Sequence, residues 1–317
     1  MQIKPVFSLL KESFKEWMDD DALDLGAALA YYTIFSLAPL LLVVIAVAGF
    51  FFGREAIQGQ LVGQIEGLVG RQGAEAIQTM VANAGRHGSG VLATMIAVVT
   101  ILLGATGVFG QLQKTLNRIW DVEPKPGLGV KGLLKARALA FGMILGVGFL
   151  LLVSLVVSTA LTALGSYLSG LFPGGAVLLR ILNLVLSFAV VVLLFAMIYR
   201  VLPDVEISWK DVWAGAAFTA VLFTIGKFLI GFYLGHSSVA SVYGAAGSLV
   251  VVLLWIYYSS QILFFGAEFT QVYARQYGSQ IVPSKNAQPV PGREMGEKKK
   301  KEGAEAPSGT AAPVSSR

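Results

Sequence analysis

The stretch GKFLIGFYLGHSSVASVYGAAGSLVVVLLWIYYSSQILFFGAE, Gly226–Glu268, decides how the rest of the chain is read. Between Lys227 and Glu268 it contains no Asp, Glu, Lys or Arg. A soluble domain would have to bury both faces of about forty such residues, whereas lipid solvates them directly. A short loop, His236–Ser241, divides the stretch into two apolar arms. It reads as a transmembrane hairpin with an ionisable residue near each end.

The rest of the chain agrees. Of its 317 residues 55% are hydrophobic and 14% charged, against about 25% charged in soluble domains. The absence of Cys excludes a disulfide framework, a thiolate metal site and a Cys nucleophile. Lys, Glu and Asp stud the first 24 residues, so no cleavable signal peptide is expected there. Runs long enough to cross a bilayer fall at about 26–52, 91–109, 139–164, 176–199, 213–234 and 243–269.

The expected fold is therefore all-α, with a six-helix transmembrane domain over residues 25–278. Residues 1–24 carry an amphipathic surface helix, with Phe7, Leu10, Phe14 and Trp17 at helical spacing. The long connection 54–90 carries amphipathic pieces that either lie on the outer surface or cover an opening between spans. Beyond Gly278 the composition turns to Pro, Gly, Ser, Lys and Glu, including Lys298–Lys301, and 279–317 reads as a disordered tail. Nineteen Lys and Arg fall on the side of the termini and three in the loops opposite, which places both termini in the cytoplasm.

In the first span Pro39 removes a backbone donor and predicts a kink, with Tyr31, Tyr32, Thr33 and Ser36 one to two turns earlier. These polar groups either satisfy the kinked backbone or line a pathway, for which Tyr32, Ser36 and Pro39 are the candidates.

Four motifs in order resemble the YihY/BrkB family of bacterial inner-membrane proteins. They are Ala30–Leu40, Leu116–Val122, Lys227–Tyr233, and Tyr243–Ser248 continuing to Gly266-Ala267-Glu268. The resemblance covers about residues 7–278. It implies six transmembrane helices in a bacterial inner membrane and leaves the biochemistry open. Members once bore a ribonuclease BN label, generally regarded as a misassignment; others are called virulence or serum-resistance factors, and one branch has been suspected of moving lipid A precursors. Arg118, Trp120, Asp121, Tyr243, Gly244 and Gly247 fall in these motifs and are candidates for structural and interface roles, as is Glu268.

Catalytic chemistry finds little support. His87 and His236 fall in separate outer loops, and Asp204, Glu206 and Asp211 cluster in one loop, where helix capping and solvation explain them. No Gly-rich phosphate loop, nucleophile triad or metal-ligand spacing occurs, so no enzyme, metal or cofactor is expected. Charges inside spans are the better lead. At about 1.5 Å per residue, Lys227 lies about 10 Å and Arg180 about 6 Å from the outer ends of their helices, while Glu268 lies about 37 Å away, at the opposite boundary. That separation argues against a Lys227–Glu268 ion pair and gives Glu268 a helix-end contact with Arg118 or another cation. Arg180 is explained by snorkelling to the interface. Lys227 is the pathway candidate, with Arg180 beside it, facing a cavity and drawing an anionic group such as a lipid phosphate.

The expected function is transport or flipping of a lipid-related or other anionic amphiphile, with membrane lipids as partners and no nucleic acid. A non-transporting scaffold for envelope assembly, acting with assembly partners or as a homo-oligomer, is the alternative. A membrane-associated ribonuclease is the weaker one, disfavoured by the residues.

Overall fold

An apolar segment in lipid must pair its backbone groups within itself, and this demands helices. The computed structural model describes residues 3–52, 107–127, 175–236, 246–278 and 281–291, together with residues 66, 71, 74–79, 242 and 243 and scattered helical positions from 132 to 161. Its long elements are α1 (Ile3–Asp19), α2 (Ala22–Phe52), α3 (helical at 107–119), α4 (Gly175–Val201), α5 (Trp209–His236) and α6 (Gly247–Tyr277). Among the described residues, Ile181–Val201, Trp209–Leu234 and Leu249–Tyr277 are long and apolar enough to cross a membrane. The chain is thus an all-α membrane protein. Helix α2 runs unbroken through Pro39 over 31 residues, and the side chain of Pro39 lies outside the described residues. Most of the spans expected at 91–109 and 139–164 also lie outside them.

Helix α1 leaves Phe7 and Phe14 of its apolar face exposed, while Trp17 of the same face packs against the core. Leu9 and Ser13 are buried and α1 packs on α6. An exposed aromatic row opposite a docked face is what a helix at a lipid interface requires.

Among the described elements, helices α5 and α6 have the most extensive contact, followed by α2 with α6 and α4 with α5. The reason is local. Gly215 of α5 faces Thr270 of α6, and Gly266 of α6 faces Thr219 of α5; a Cβ on either glycine would overlap the opposing threonine. Both threonine hydroxyls donate back to their own helix, Thr219 to the Gly215 carbonyl at 2.7 Å and Thr270 to the Gly266 carbonyl at 2.6 Å. Polar groups are thereby satisfied while the backbones come close, the arrangement that holds helices together where lipid removes the hydrophobic drive. Tyr199 of α4 completes the node. Its hydroxyl donates to the Leu263 carbonyl at 2.8 Å and lies 3.0 Å from Thr219 Oγ1. Ala216, Ala220, Phe264 and Ala267 around it are fully buried.

One end of the bundle is closed by the segment 281–291. Strand β1 (Val122–Pro124) pairs antiparallel with β4 (Ala287–Pro289), and β2 (Val205–Glu206) with β3 (Val282–Pro283). The composition of 279–317 suggests disorder, yet this part of it forms a strap across two loops. Ile281, Val282 and Val290 are good strand formers, and Pro283 and Pro289 sit at strand ends, where a missing N–H costs little. Further bonds run from Val290 N–H to the Asp121 carbonyl at 3.0 Å and from Ser284 N–H to the Asp204 carbonyl at 2.9 Å. Residues 292–317 lie outside the described residues.

Two predictions follow from these contacts. Tyr199→Phe should lower unfolding stability in detergent by about 0.5–1.5 kcal/mol, whereas Gly266→Val should abolish a cooperative transition. A chain ending after residue 291 should melt like the full chain, whereas one ending after Gly278 should melt lower and become cleavable by protease at residues 121–125 and 204–206.

Candidate functional site

Two features of the bundle carry chemistry: an apolar cavity between the helices and a polar cluster at the strapped end.

The cavity has a volume of about 350 Å³ and lies between α2, α4, α5 and α6. Leu37, Phe195, Phe223, Val252, Trp255 and Leu263 form much of its wall. Of the three hydroxyl residues that also line it, Thr33, Ser259 and Ser260, two turn to their own backbones, Thr33 to the Leu29 carbonyl at 2.7 Å and Ser260 to the Ile256 carbonyl at 2.8 Å. The wall is therefore apolar in effect, and an apolar cavity of this kind stays dry or takes an apolar guest. Phe223 sits edge-on to both Phe195 (5.6 Å) and Trp255 (6.0 Å), which fixes the aromatic side of the wall. Among the described residues the Trp255 indole N–H has no acceptor. Ile77 also lines the cavity, and Ala76 and Ile77 are buried against Ile34, Leu234, Val251 and Val252. Of the two roles open to the connection 54–90, this piece takes the covering one.

The residues singled out from sequence scatter around this cavity. Ser36 is buried, but its hydroxyl donates to the Thr33 carbonyl at 3.1 Å. Tyr32 is exposed, edge-on to Tyr31 at 5.9 Å and in contact with Gly107 of α3. Lys227 is half-buried, with Nζ 5.6 Å from the Phe228 ring centroid. It borders the exposed row Phe228, Phe232 and Tyr233 and is not among the described residues lining the cavity. Tyr243 is exposed and Gly247 is buried at the start of α6. The side chains of Arg180 and Pro39, and all of Gly244, lie outside the described residues. Gly226 packs on Tyr258 and Ile262, so Lys227 sits about 9–15 Å along the bundle from the level of Glu268 at 1.5 Å per residue.

The polar cluster is built on two matching turns. Asp21 follows α1 and Asp121 follows α3, and each adopts a left-handed backbone with φ of 54°. Asp is one of the few residues that tolerates that conformation at a helix end. Arg118 ties the turns together, its Nη2 2.6 Å from Asp21 and its Nε 3.8 Å from Asp20. Gln271 of α6 donates to Asp121 at 3.2 Å, and Arg275 pairs with Glu12 at 3.3 Å and Glu16 at 2.9 Å. Trp120 is buried in the adjoining core. Asn117 donates to Asp204 at 2.9 Å and accepts the Asp204 N–H at 2.8 Å. Asp204 is thus a brace between α3 and the α4–α5 loop. Among the described residues no group of three His, Asp or Glu is arranged to hold a metal.

Inside this cluster lies Glu268, fully buried. Among the described residues neither of its oxygens has a hydrogen-bond donor. Arg118, expected as its cation, pairs with Asp20 and Asp21 instead. The sequence did not reveal Asp20 as its neighbour. Four aspartates precede α2, and nothing in their order marks the one that turns inward.

The fold and its buried polar end define an integral membrane protein built of helices. A family profile described as "Virulence factor BrkB" matches residues 13–291, and the chain belongs to that family. A UPF0761 membrane protein of Pseudomonas aeruginosa (strain LESB58) is 31% identical over 263 residues, covering 79% of this chain and 59% of the relative. One from Verminephrobacter eiseniae (strain EF01-2) is 31% identical over 274 residues, 84% of this chain and 61% of the relative. One from Pseudoalteromonas translucida (strain TAC 125) is 27% identical over 278 residues, 84% and 88% respectively. The chain spans about three-fifths of the length of the first two. No solved structure matches it.

Arg118→Ala should lower thermal stability by about 2–4 kcal/mol, because it leaves the buried Asp20 without its cation. Arg118→Lys should recover part of that loss and not all, since one ammonium cannot hold both aspartates as a planar fork does. Unfolding in detergent, followed by tryptophan fluorescence, reads both.

Proposed function

We propose that this protein moves or flips an amphiphilic, lipid-related substrate with an anionic head across a bacterial inner membrane. The reading takes the chain as six spans with both termini in the cytoplasm and without enzymatic activity. The observation that carries it is the half-open cavity of about 350 Å³, lined among the described residues by aliphatic and aromatic side chains and three hydroxyl residues, with no charged side chain. An acyl chain is the one guest that a bilayer supplies in quantity and that such a wall prefers. Lys227 supports the same reading from a different position. It lies at the edge of an exposed aromatic row, where a phosphate at the protein–lipid boundary meets a cation without entering the cavity. The head then travels along the outside of α5 while the chain uses the interior. The sequence carries no nucleotide-binding motif, so movement is passive, ion-coupled or driven by a partner.

The test is a lipid-scrambling assay with the full chain in vesicles, using fluorescent phosphatidylglycerol and phosphatidylcholine. Filling the cavity with Val252→Trp should slow both lipids at least about tenfold, equivalent to about 1.4 kcal/mol in the barrier. Lys227→Gln should slow the anionic lipid several-fold more than the zwitterionic one. Unchanged rates in both variants, at normal protein levels and melting temperatures, would sink the proposal.

A further inference from the structure

Glu268 has no part in the reading above, yet it is among the most confined ionisable groups of the described residues. It is 0% exposed and Asp20 is 2% exposed. The two carboxyl groups lie within hydrogen-bonding reach of one another, with those of Glu16 and Asp121 nearby. Two ionised carboxylates offer only acceptors, so no hydrogen bond can join them. A single proton turns the same contact into a charge-assisted O–H···O⁻ bond, one of the strong kinds. A buried negative pair without that proton would carry both like-charge repulsion and the cost of lost hydration.

The surroundings say which partner keeps the proton. Asp20 has the Arg118 guanidinium at 3.8 Å, while no donor among the described residues reaches either oxygen of Glu268. Charges that face the pair come from each neighbouring element. Helix α1 brings Glu12 and Glu16, both occupied by Arg275 of α6. Helix α3 and its turn bring Arg118 and Asp121, the latter accepting from Gln271. On α4, Tyr199 lies against Gly266, two residues before Glu268. On α5, Asp211 lies against Gly278, further along. Asp24 of α2 is exposed. Each cation named is engaged by another carboxylate, so none is left over for Glu268.

We propose that Glu268 is a proton-binding site whose O–H donates to the Asp20 carboxylate, with Arg118 holding Asp20 ionised. Loss of that proton places two negative charges in one buried contact, and relief requires α6 to part from the α1–α2 turn. Two helical turns along the same face, Gln261 is wedged against Gly26 of α2, with neither amide atom bonded among the described residues. Its neighbours Ser260 and Leu263 line the cavity. The α2–α6 seam therefore joins the proton site to the cavity wall. That this proton drives movement of the amphiphile rests on the transport reading; that Glu268 binds it does not.

The experiment is difference infrared spectroscopy of the full chain in lipid nanodiscs at neutral pH. The spectrum of the wild type minus that of Glu268→Gln should show one carbonyl-stretch band of a protonated carboxylic acid, lost in the variant. Asp20→Asn should shift this band and not abolish it. If Glu268→Gln fails to fold, the wild type alone decides: an acid carbonyl band at neutral pH is expected. A flat difference spectrum, or in that case no such band at neutral pH, overturns the proposal. Vesicle scrambling under an imposed pH gradient separates the two readings. A band without any scrambling removes transport and leaves the proton site standing. Scrambling without the band removes the proton site and leaves transport standing.

Discussion

Helices in lipid gain little from burying apolar side chains against each other, because the solvent is as apolar as they are. What joins them is close approach with every polar group satisfied, and in this chain that condition is met where α4, α5 and α6 cross. Two glycines each receive a threonine from the opposing helix, and both hydroxyls are bonded to their own backbones. Tyr199 closes the third side with a bond to the Leu263 carbonyl. The node sits beside the cavity, since Leu263 belongs to both, and its α6 residues Gly266 and Thr270 flank Glu268. It gives the cavity a fixed floor and leaves the α2–α6 side as the wall not pinned by this node.

The membrane class and helical architecture were legible because they depend on composition and on the length of apolar runs, both one-dimensional properties. The hairpin Gly226–Glu268 became α5 and α6 with its glycine-to-tyrosine neighbourhoods in close contact. Family membership was legible from four short motifs and is borne out across residues 13–291. Arithmetic along the helix put Lys227 and Glu268 about 27 Å apart. The packing of Gly226 on Tyr258 and Ile262 sets their levels only about 9–15 Å apart, because the two arms overlap over more of their length than end-to-end counting allows.

What was not legible depends on which of several similar residues turns inward. Asp19, Asp20, Asp21 and Asp24 look alike in sequence, yet only Asp20 is buried, because the left-handed turn at Asp21 rotates its neighbour into the bundle. Phe7 and Phe14 stay exposed as a surface helix would have them, but the spacing did not mark Leu9 and Ser13 as the residues α1 buries. The strap was hidden by its own prolines. Average composition described the whole segment after Gly278 as disordered, whereas two or three residues are enough to pair when loop edges are waiting for them. The cavity was hidden too, because its lining is drawn from four helices and shows no pattern in any one.

The strap also imposes an order on biogenesis. Its strands follow every helix described here, and each loop they pair with is made well before them. At synthesis rates of about 5–20 residues per second, the loop around Val122 waits about 8–30 s for β4, and the loop around Val205 about 4–15 s for β3. During that interval both loops present open strand edges to the aqueous phase, while the helices must already hold together through their own contacts. Pairing of the two β ladders by one short peptide can therefore begin only after every helix described here has been made. A chain interrupted before residue 281 lacks β3 and β4 and can form neither ladder.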